Sequence, residues 1–500
     1  MDTGILQGNA ENNIVSFKGI PYAAAPVGAL RWMPPQPVAA WAGVRSATSF
    51  GHDCMQIPGP MEAAPEGTTT PSEDCLYLNV WAPTDQAGTK KRAVLIWIHG
   101  GGFVNGGSSS KIYDGSGFAR QGVVFVSFNY RLGRFGFFAH PALTAEHPGG
   151  LLGNYAYMDQ LAVLKWVHRN IAAFGGDPGN VTVMGESAGG GSVHFLVNCP
   201  LARGLFEKGI VESGGGRDSA RPRYVSEDNA GVPSGETLGM AFARKHGITG
   251  TSAQALAALR ALPASEIVDN LNIVNRRADA SVGATFPGPM IDGKLIVMTS
   301  EAGYVSHTEP NIPMIIGTND SDLAYPQGTT IADFLKPFGS NADKARAIYD
   351  PQNADDAKDV GEKIARDRGQ LEPARFIAGL LASQGRTVYL YRFSYVADSM
   401  RREWRGVPHA AEVPFVFETL GPRYGDKATA SDEAMARTIS GYWAAFAKTG
   451  NPNGGGRVNW PPYDAKRDVL ANFTDKGVVI EPDPFKERLD VTEESHHSGK

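Results

Sequence analysis

Five hundred residues exceed the usual size of one domain, yet large α/β enzymes run as a single unit at this length. Hydrophobic residues make up 42% of the chain and charged residues 20%, enough to bury a substantial core. A net charge of -5 with no long basic run excludes the concentrated positive face that nucleic acid requires. No apolar stretch approaches the roughly 18 residues of a membrane-spanning helix, so the sequence predicts a soluble protein. Met1-Asp2-Thr3-Gly4 leads directly into the folded pattern without a charged-then-apolar leader. Two readings follow: a cytoplasmic protein, or an exported one whose leader has been replaced by a starting Met.

In chain order, short β-branched or aromatic runs at Val94–Ile98, Val123–Asn129, Val181–Met184 and Gly209–Glu212 read as strands. Between them, Met158–Ile171 sets Leu161, Leu164, Trp166, Val167 and Ile171 at near-helical spacing. Strands separated by helices predict a mostly parallel sheet covered on both faces, an α/β fold. From about 218 to 310 strand signals are few, and Ser252–Ile273 is rich in Ala and Leu, so this segment reads as a helical excursion. Pro313–Gly317 and Thr387–Phe393 return as strands, a helix follows over Asp432–Lys448, and Asn451–Gly456 reads as a loop. With no internal repeat and no long linker, residues 1–500 read as one domain with insertions.

Gly185-Glu186-Ser187-Ala188-Gly189 follows a strand pattern and precedes a segment that can start a helix. A sharp strand-to-helix turn strains the serine backbone and admits only small neighbours, and the new helix offers free N–H groups to a developing negative charge. His99-Gly100-Gly101-Gly102-Phe103 follows the strand ending at Ile98. A glycine triplet lets backbone amides approach a substrate carbonyl, so Gly101, Gly102 and Ala188 are the candidate oxyanion donors. His99 itself reads as structural.

Eleven histidines are available for the base. His409 stands in a turn-rich loop before an apolar segment, with His140 and His194 close behind it as candidates. For the acid, Asp320 and Asp322 both follow the strand ending near Gly317, and either could fix the imidazole tautomer. The chain order serine, acid, histidine is that of α/β-hydrolases. Cys54 and Cys75 could close a short loop, or with Cys199 they could be three unrelated buried thiols.

Together these residues resemble the type-B carboxylesterase family, which also holds the cholinesterases and the non-catalytic neuroligins. Phe17-Lys18-Gly19-Ile20-Pro21-Tyr22-Ala23, Ser72-Glu73-Asp74-Cys75-Leu76-Tyr77-Leu78-Asn79, Asn129-Tyr130-Arg131-Leu132-Gly133 and Phe174-Gly175-Gly176-Asp177-Pro178 are similar to its signatures. Phe446-Ala447-Lys448-Thr449-Gly450-Asn451-Pro452 resembles its closing one. The resemblance implies an α/β-hydrolase fold, a Cys54–Cys75 bridge and hence a secreted or periplasmic setting, with the cytoplasm as alternative. It implies that His409, in the Gly406-x-x-His409-x-x-Glu412 pattern, is the base. Aligned from Gly317 and Asn319, the acid, usually a glutamate, falls on Asp322, with Asp320 as fallback. Glu186 reads as a buried structural carboxylate.

The expected reaction is carboxylic ester hydrolysis on a small molecule through an acyl-enzyme, with no cofactor, no metal, no nucleic acid and no membrane span. A non-catalytic binding protein on the same scaffold would lack the serine, the histidine or the glycine loop. An amidase or carbamate hydrolase would keep all three. Substrate pockets are expected from the 218–310 excursion and from loops near Tyr325 and Phe415. Arg217 could bring a cation to the site or simply pair with a surface carboxylate.

Overall fold

A computed structural model describes residues 1–58, 68–84, 91–218 and 220–498. Among these, eleven strands pair into one sheet. They are β1 (Asn9–Glu11), β2 (Ile14–Pro21), β3 (Tyr77–Pro83), β4 (Arg92–Ile98), β5 (Val124–Phe128) and β6 (Gly176–Glu186). Then follow β7 (Lys208–Glu212), β8 (Met314–Asn319), β9 (Val388–Phe393), β10 (Val469–Thr474) and β11 (Gly477–Pro482). The spatial order is β11-β10-β9-β8-β7-β6-β4-β5-β3-β2-β1. From β5 through β4 and β6 to β10 all neighbours run parallel, and antiparallel pairs extend the sheet at each end.

The central strands are continuous apolar runs because both of their faces are covered. In β4 the alternation of side chains sends Val94, Ile96 and Ile98 into one core and Leu95 and Trp97 into the other. The first core receives Leu161, Leu164 and Val167 from helix α1 (Tyr155–Asn170), and Val193 and Leu196 from α2 (Ala188–Asn198). The expected helix over Met158–Ile171 thus starts one turn earlier, its apolar stripe unchanged. Between 218 and 310 the chain forms α3 (Gly235–Lys245), α4 (Ala253–Ala261), α5 (Ile273–Ala278) and α6 (Ser300–Val305), and adds no strand to the large sheet among the described residues. Helix α7 (Ala430–Thr449) starts at a Thr429–Asp432 capping box and ends at Gly450, with Trp443 and Phe446 in the second core.

Chain order reverses between β4 and β6: β4 hands on to β5 on one side, β6 to β7 on the other. Their carboxyl ends open on the same edge, which is where doubly wound sheets place ligands. Phe415 is 1% exposed and packs against Phe393 and Tyr395 in the second core. Its apolar neighbours Val413 and Val416 draw the whole turn inward. Cys54 and Cys75 are disulfide-bonded, whereas Cys199 is free and buried. No helix among the described residues is long and apolar enough to cross a membrane.

Candidate active site

Strand β6 delivers Ser187 to that carboxyl edge. Its backbone sits at φ 57° and ψ -121°, and α2 begins at the next residue. A non-glycine residue in this region costs roughly 1–3 kcal/mol, so its neighbours must hold it there. They do so by contact. A Cβ on Gly189 would lie 2.0 Å from the Ile98 carbonyl oxygen, and one on Gly185 would lie 2.4 Å from the Gly189 backbone. The Ser187 amide donates to the Glu212 carbonyl at 2.9 Å, tying the turn to β7.

The glycine loop that follows β4 presses on this turn: a Cβ on Gly100 would meet Glu186 Oε2 at 2.7 Å and Ser187 Cβ at 3.1 Å. Gly101 has φ 100°, and a Cβ there would lie 2.1 Å from the Asn105 carbonyl oxygen. The amides of Val104 and Asn105 both donate to the Gly101 carbonyl. The amides of Gly101, Gly102 and Ala188 donate to no group among the described residues. His99 stacks on Tyr130 with centroids 4.4 Å apart and donates Nδ1–H to the Gly100 carbonyl. Burial pushes its pKa down to about 4, as befits a neutral packing residue.

His409 and Asp322 meet at 2.6 Å, Nδ1 to Oδ1. Asp322 is buried and accepts three further bonds: from Ser213 Oγ at 2.6 Å, from the Asn319 amide at 3.1 Å and from the Leu323 amide at 2.7 Å. Burial alone would raise its pKa. The His409 charge and these donors outweigh burial and hold the carboxyl below its ordinary value. Asp320 takes a different partner, the Val407 amide at 2.6 Å, and burial raises its pKa. Together with the Ser321–Pro408 bridge, it fastens the loop that carries His409. His140 caps a short helix by accepting from the Ala142 amide. His194 is buried against the Tyr304 hydroxyl at 2.8 Å, and burial lowers its pKa to about 4.

Other carboxylates surround the imidazole. Glu186 Oε1 lies 3.0 Å from His409 Nε2, without the alignment of a hydrogen bond, so this residue touches the site rather than only packing behind it. Glu212 accepts from Trp443 Nε1 at 2.5 Å, and Glu412 from Asn319 Nδ2 at 2.5 Å. All are buried. Burial first and mutual repulsion second push Glu186 and Glu212 well above the usual carboxylate range, and burial raises Glu412 to about 7. So many negative charges cannot coexist around one imidazole, and protons must be retained among them. Sequence reasoning missed Ser213 and Glu212 altogether. The Glu-Ser pair at the end of a buried strand, beside the serine turn, was the available signal. Arg217 pairs with Glu301 and Glu372, which are buried rather than on the surface, and its guanidinium covers the Phe376 ring.

The model of the carboxylesterase family matches residues 1–367 and 340–492. The chain belongs to the carboxylesterase family. It is 36% identical over 490 residues to fumonisin B1 esterase of Sphingopyxis macrogoltabida, covering 94% of this chain and 85% of that protein. It is 35% identical over 501 residues to para-nitrobenzyl esterase of Bacillus subtilis, covering 97% and 96%. To carboxylesterase 1C of Mus musculus it is 32% identical over 497 residues, covering 92% and 85%. The carboxylesterase is thus a carboxylic ester hydrolase on an α/β-hydrolase fold, with its sheet and helices arranged as that fold requires.

Proposed function

We propose that this carboxylesterase cleaves its ester through an acyl-enzyme on Ser187, with His409 as general base and acid, Asp322 as the residue that orients it, and Gly101, Gly102 and Ala188 as oxyanion donors. The observation that carries the reading is the 2.6 Å Asp322–His409 hydrogen bond, which leaves Nε2 facing the serine turn. Asp322 fixes the tautomer with the proton on Nδ1, so Nε2 has a lone pair to accept the Ser187 proton. In the free enzyme Nε2 lies against Glu186, and a bound ester draws it onto Ser187 Oγ; catalytic hydrogen bonds commonly tighten only in the substrate complex.

Ser187 Oγ then attacks the carbonyl carbon while His409 takes its proton. The carbonyl oxygen becomes an alkoxide facing the three amides. Collapse expels the alcohol, which takes the proton from His409 and leaves an ester on Ser187. Water enters, gives a proton to His409 and adds to the acyl carbon. A second collapse returns the proton to Ser187 and releases the acid. The Cys54–Cys75 bond supports folding in an oxidising compartment outside the cytoplasm.

Ser187→Ala tests the assignment. It should lower kcat for a p-nitrophenyl ester by a factor of about 10^3 or more with an unchanged circular dichroism spectrum. Turnover within tenfold of wild type would remove Ser187 from the chemistry. A matched p-nitroanilide, expected to turn over far more slowly, separates ester from amide hydrolysis.

A further inference from the structure

The Gly102 amide belongs to a peptide unit whose other end is held from behind. In a planar trans peptide the Gly101 carbonyl and the Gly102 N–H point in opposite directions, so whatever fixes the carbonyl also aims the amide. That carbonyl accepts from the Val104 amide at 3.1 Å and from the Asn105 amide at 3.0 Å. Three consecutive positive φ values, 100° at Gly101, 62° at Gly102 and 62° at Phe103, make a backbone that only its surroundings can hold. Phe103 is gripped edge-on by Phe137 and Tyr157, with centroids 5.3 and 5.8 Å away. The other end of the turn is gripped through Asn105.

Asn105 is 3% exposed, and its side chain joins segments far apart in the sequence. Its Oδ1 accepts from the amide of Ile273, the first residue of α5, at 2.9 Å. Its Nδ2 donates to the Ile57 carbonyl at 2.9 Å and to Gln56 Oε1 at 3.2 Å. Gln56 in turn clasps the next residue of the loop. Its Oε1 accepts from the Gly106 amide at 2.9 Å, and its Nε2 donates to the Gly106 carbonyl at 2.6 Å and to the Cys54 carbonyl at 3.0 Å. The bond to Ile273 reaches the site itself. Ile273 Cδ1 lies 3.0 Å from the place where a Cβ on Gly102 would stand, so α5 packs directly on Gly102.

We infer that Asn105 is a positioning residue for the oxyanion cradle: its side chain anchors the turn that aims the Gly102 amide, and it seats Ile273 against Gly102. The inference rests on Gly102 being an oxyanion donor. Shortening Asn105 takes the partner from the Ile273 amide and the Ile57 carbonyl, and the turn loses its anchor. The Gly102 N–H is then no longer preorganised for the charge that develops on the substrate oxygen. Acylation and deacylation both pass through an alkoxide in the same cradle, so both steps slow together. The loss therefore falls on kcat and leaves KM nearly unchanged.

Asn105→Ala tests this. It should lower kcat for p-nitrophenyl acetate by about tenfold or more, with KM within about threefold and a folded circular dichroism spectrum. A small trifluoromethyl ketone distinguishes aim from general loosening. It adds to Ser187 as a hemiketal whose alkoxide occupies the cradle, so its Ki should rise by the same factor as kcat falls. A ketone that fails to inhibit the wild type defeats the nucleophile and cradle on which the inference rests. A ketone that inhibits wild type and folded Asn105→Ala equally, or a smaller fall in kcat, defeats the role of Asn105 alone. If Asn105→Ala does not fold, Gln56→Ala decides. It removes the Gly106 clasp and leaves Asn105 its bonds to Ile57 and Ile273, so kcat should fall and Ki rise by about threefold or more. A smaller change in either overturns the inference.

Discussion

Replacing the two neighbouring aspartates one at a time tests the proposed division between a carboxylate that orients the base and one that fastens its loop. Asp322 receives four donors on two oxygens: His409 Nδ1, Ser213 Oγ and the amides of Asn319 and Leu323. An asparagine has one acceptor oxygen and an NH2 group. If the NH2 faces His409, the imidazole must accept on Nδ1 and carry its proton on Nε2, where it can no longer take one from Ser187. If it faces Ser213, it meets the Asn319 amide donor to donor. Asp322→Asn should therefore lower kcat by about 10^4, equivalent to roughly 5.5 kcal/mol of transition-state stabilisation. Asp320→Asn retains an oxygen for the Val407 amide. It gives up the charge on that bond and on the Ser394 contact and the attraction of Arg392 and Arg366, but also sheds the burial cost that raises the Asp320 pKa, leaving a net change on the order of 1 kcal/mol. Its kcat should stay within about tenfold of wild type, with a melting temperature little changed. Steady-state hydrolysis of a p-nitrophenyl ester near neutral pH, with near-ultraviolet circular dichroism to confirm packing, reads both effects. If Asp320→Asn were the more damaging of the two, the division of roles drawn from these contacts would be wrong.

Gly101→Ala should cost about 10^2 in kcat, because a Cβ 2.1 Å from the Asn105 carbonyl displaces the oxyanion amides; near-normal kcat would mean these amides do not face the oxyanion. Glu412, raised to about 7 from 4.5, favours the folded state most below its unfolded value, and that stability is lost as pH rises through about 7. Melting temperature should therefore fall between about pH 5 and 8, and Glu412→Gln should flatten the slope; an equally steep decline in the variant would refute the assignment. Replacing Cys54 and Cys75 by serine should lower unfolding stability by about 3 kcal/mol, read as an earlier midpoint in urea, and an unmoved midpoint would contradict the chain-entropy account.

The central strands were legible because a parallel sheet buries both faces of each strand, which writes itself as a short, wholly apolar run such as Val94–Ile98. The outer strands were not. Asn9–Glu11 is polar and exposed, and in Gly477–Pro482 the apolar run is only Val478-Val479-Ile480 and half-buried, too short to separate from a loop. Helix α1 showed its stripe at Leu161, Leu164 and Val167, but its first turn is buried all round, and burial on every face erases periodicity. Nor does the sequence say which way Phe415 turns. A large aromatic after a catalytic loop can line a pocket or anchor the loop to the core, and only its neighbours in space decide between the two.

The site divides along the same line. Ser187 and the glycine loop are legible because backbone strain and close approach demand glycine at fixed offsets, a constraint that is local in sequence. Ser213, Glu212 and Glu412 act across the sheet, and nothing within a few residues of any of them records the partner. The pairing of Glu412 with Asn319 and of Glu212 with Trp443 spans 93 and 231 residues. Their consequence is nevertheless specific. Buried carboxylates that retain protons give the imidazole a surrounding whose charge depends on pH, whereas Asp322, held ionised by its donors, does not follow them. The Asp322 charge beside His409 therefore stays fixed while the background around it titrates. That separation requires Asp322 to hold more hydrogen-bond donors than any of the glutamates, and among the described residues it does, with four against Trp443 for Glu212 and Asn319 and its own amide for Glu412.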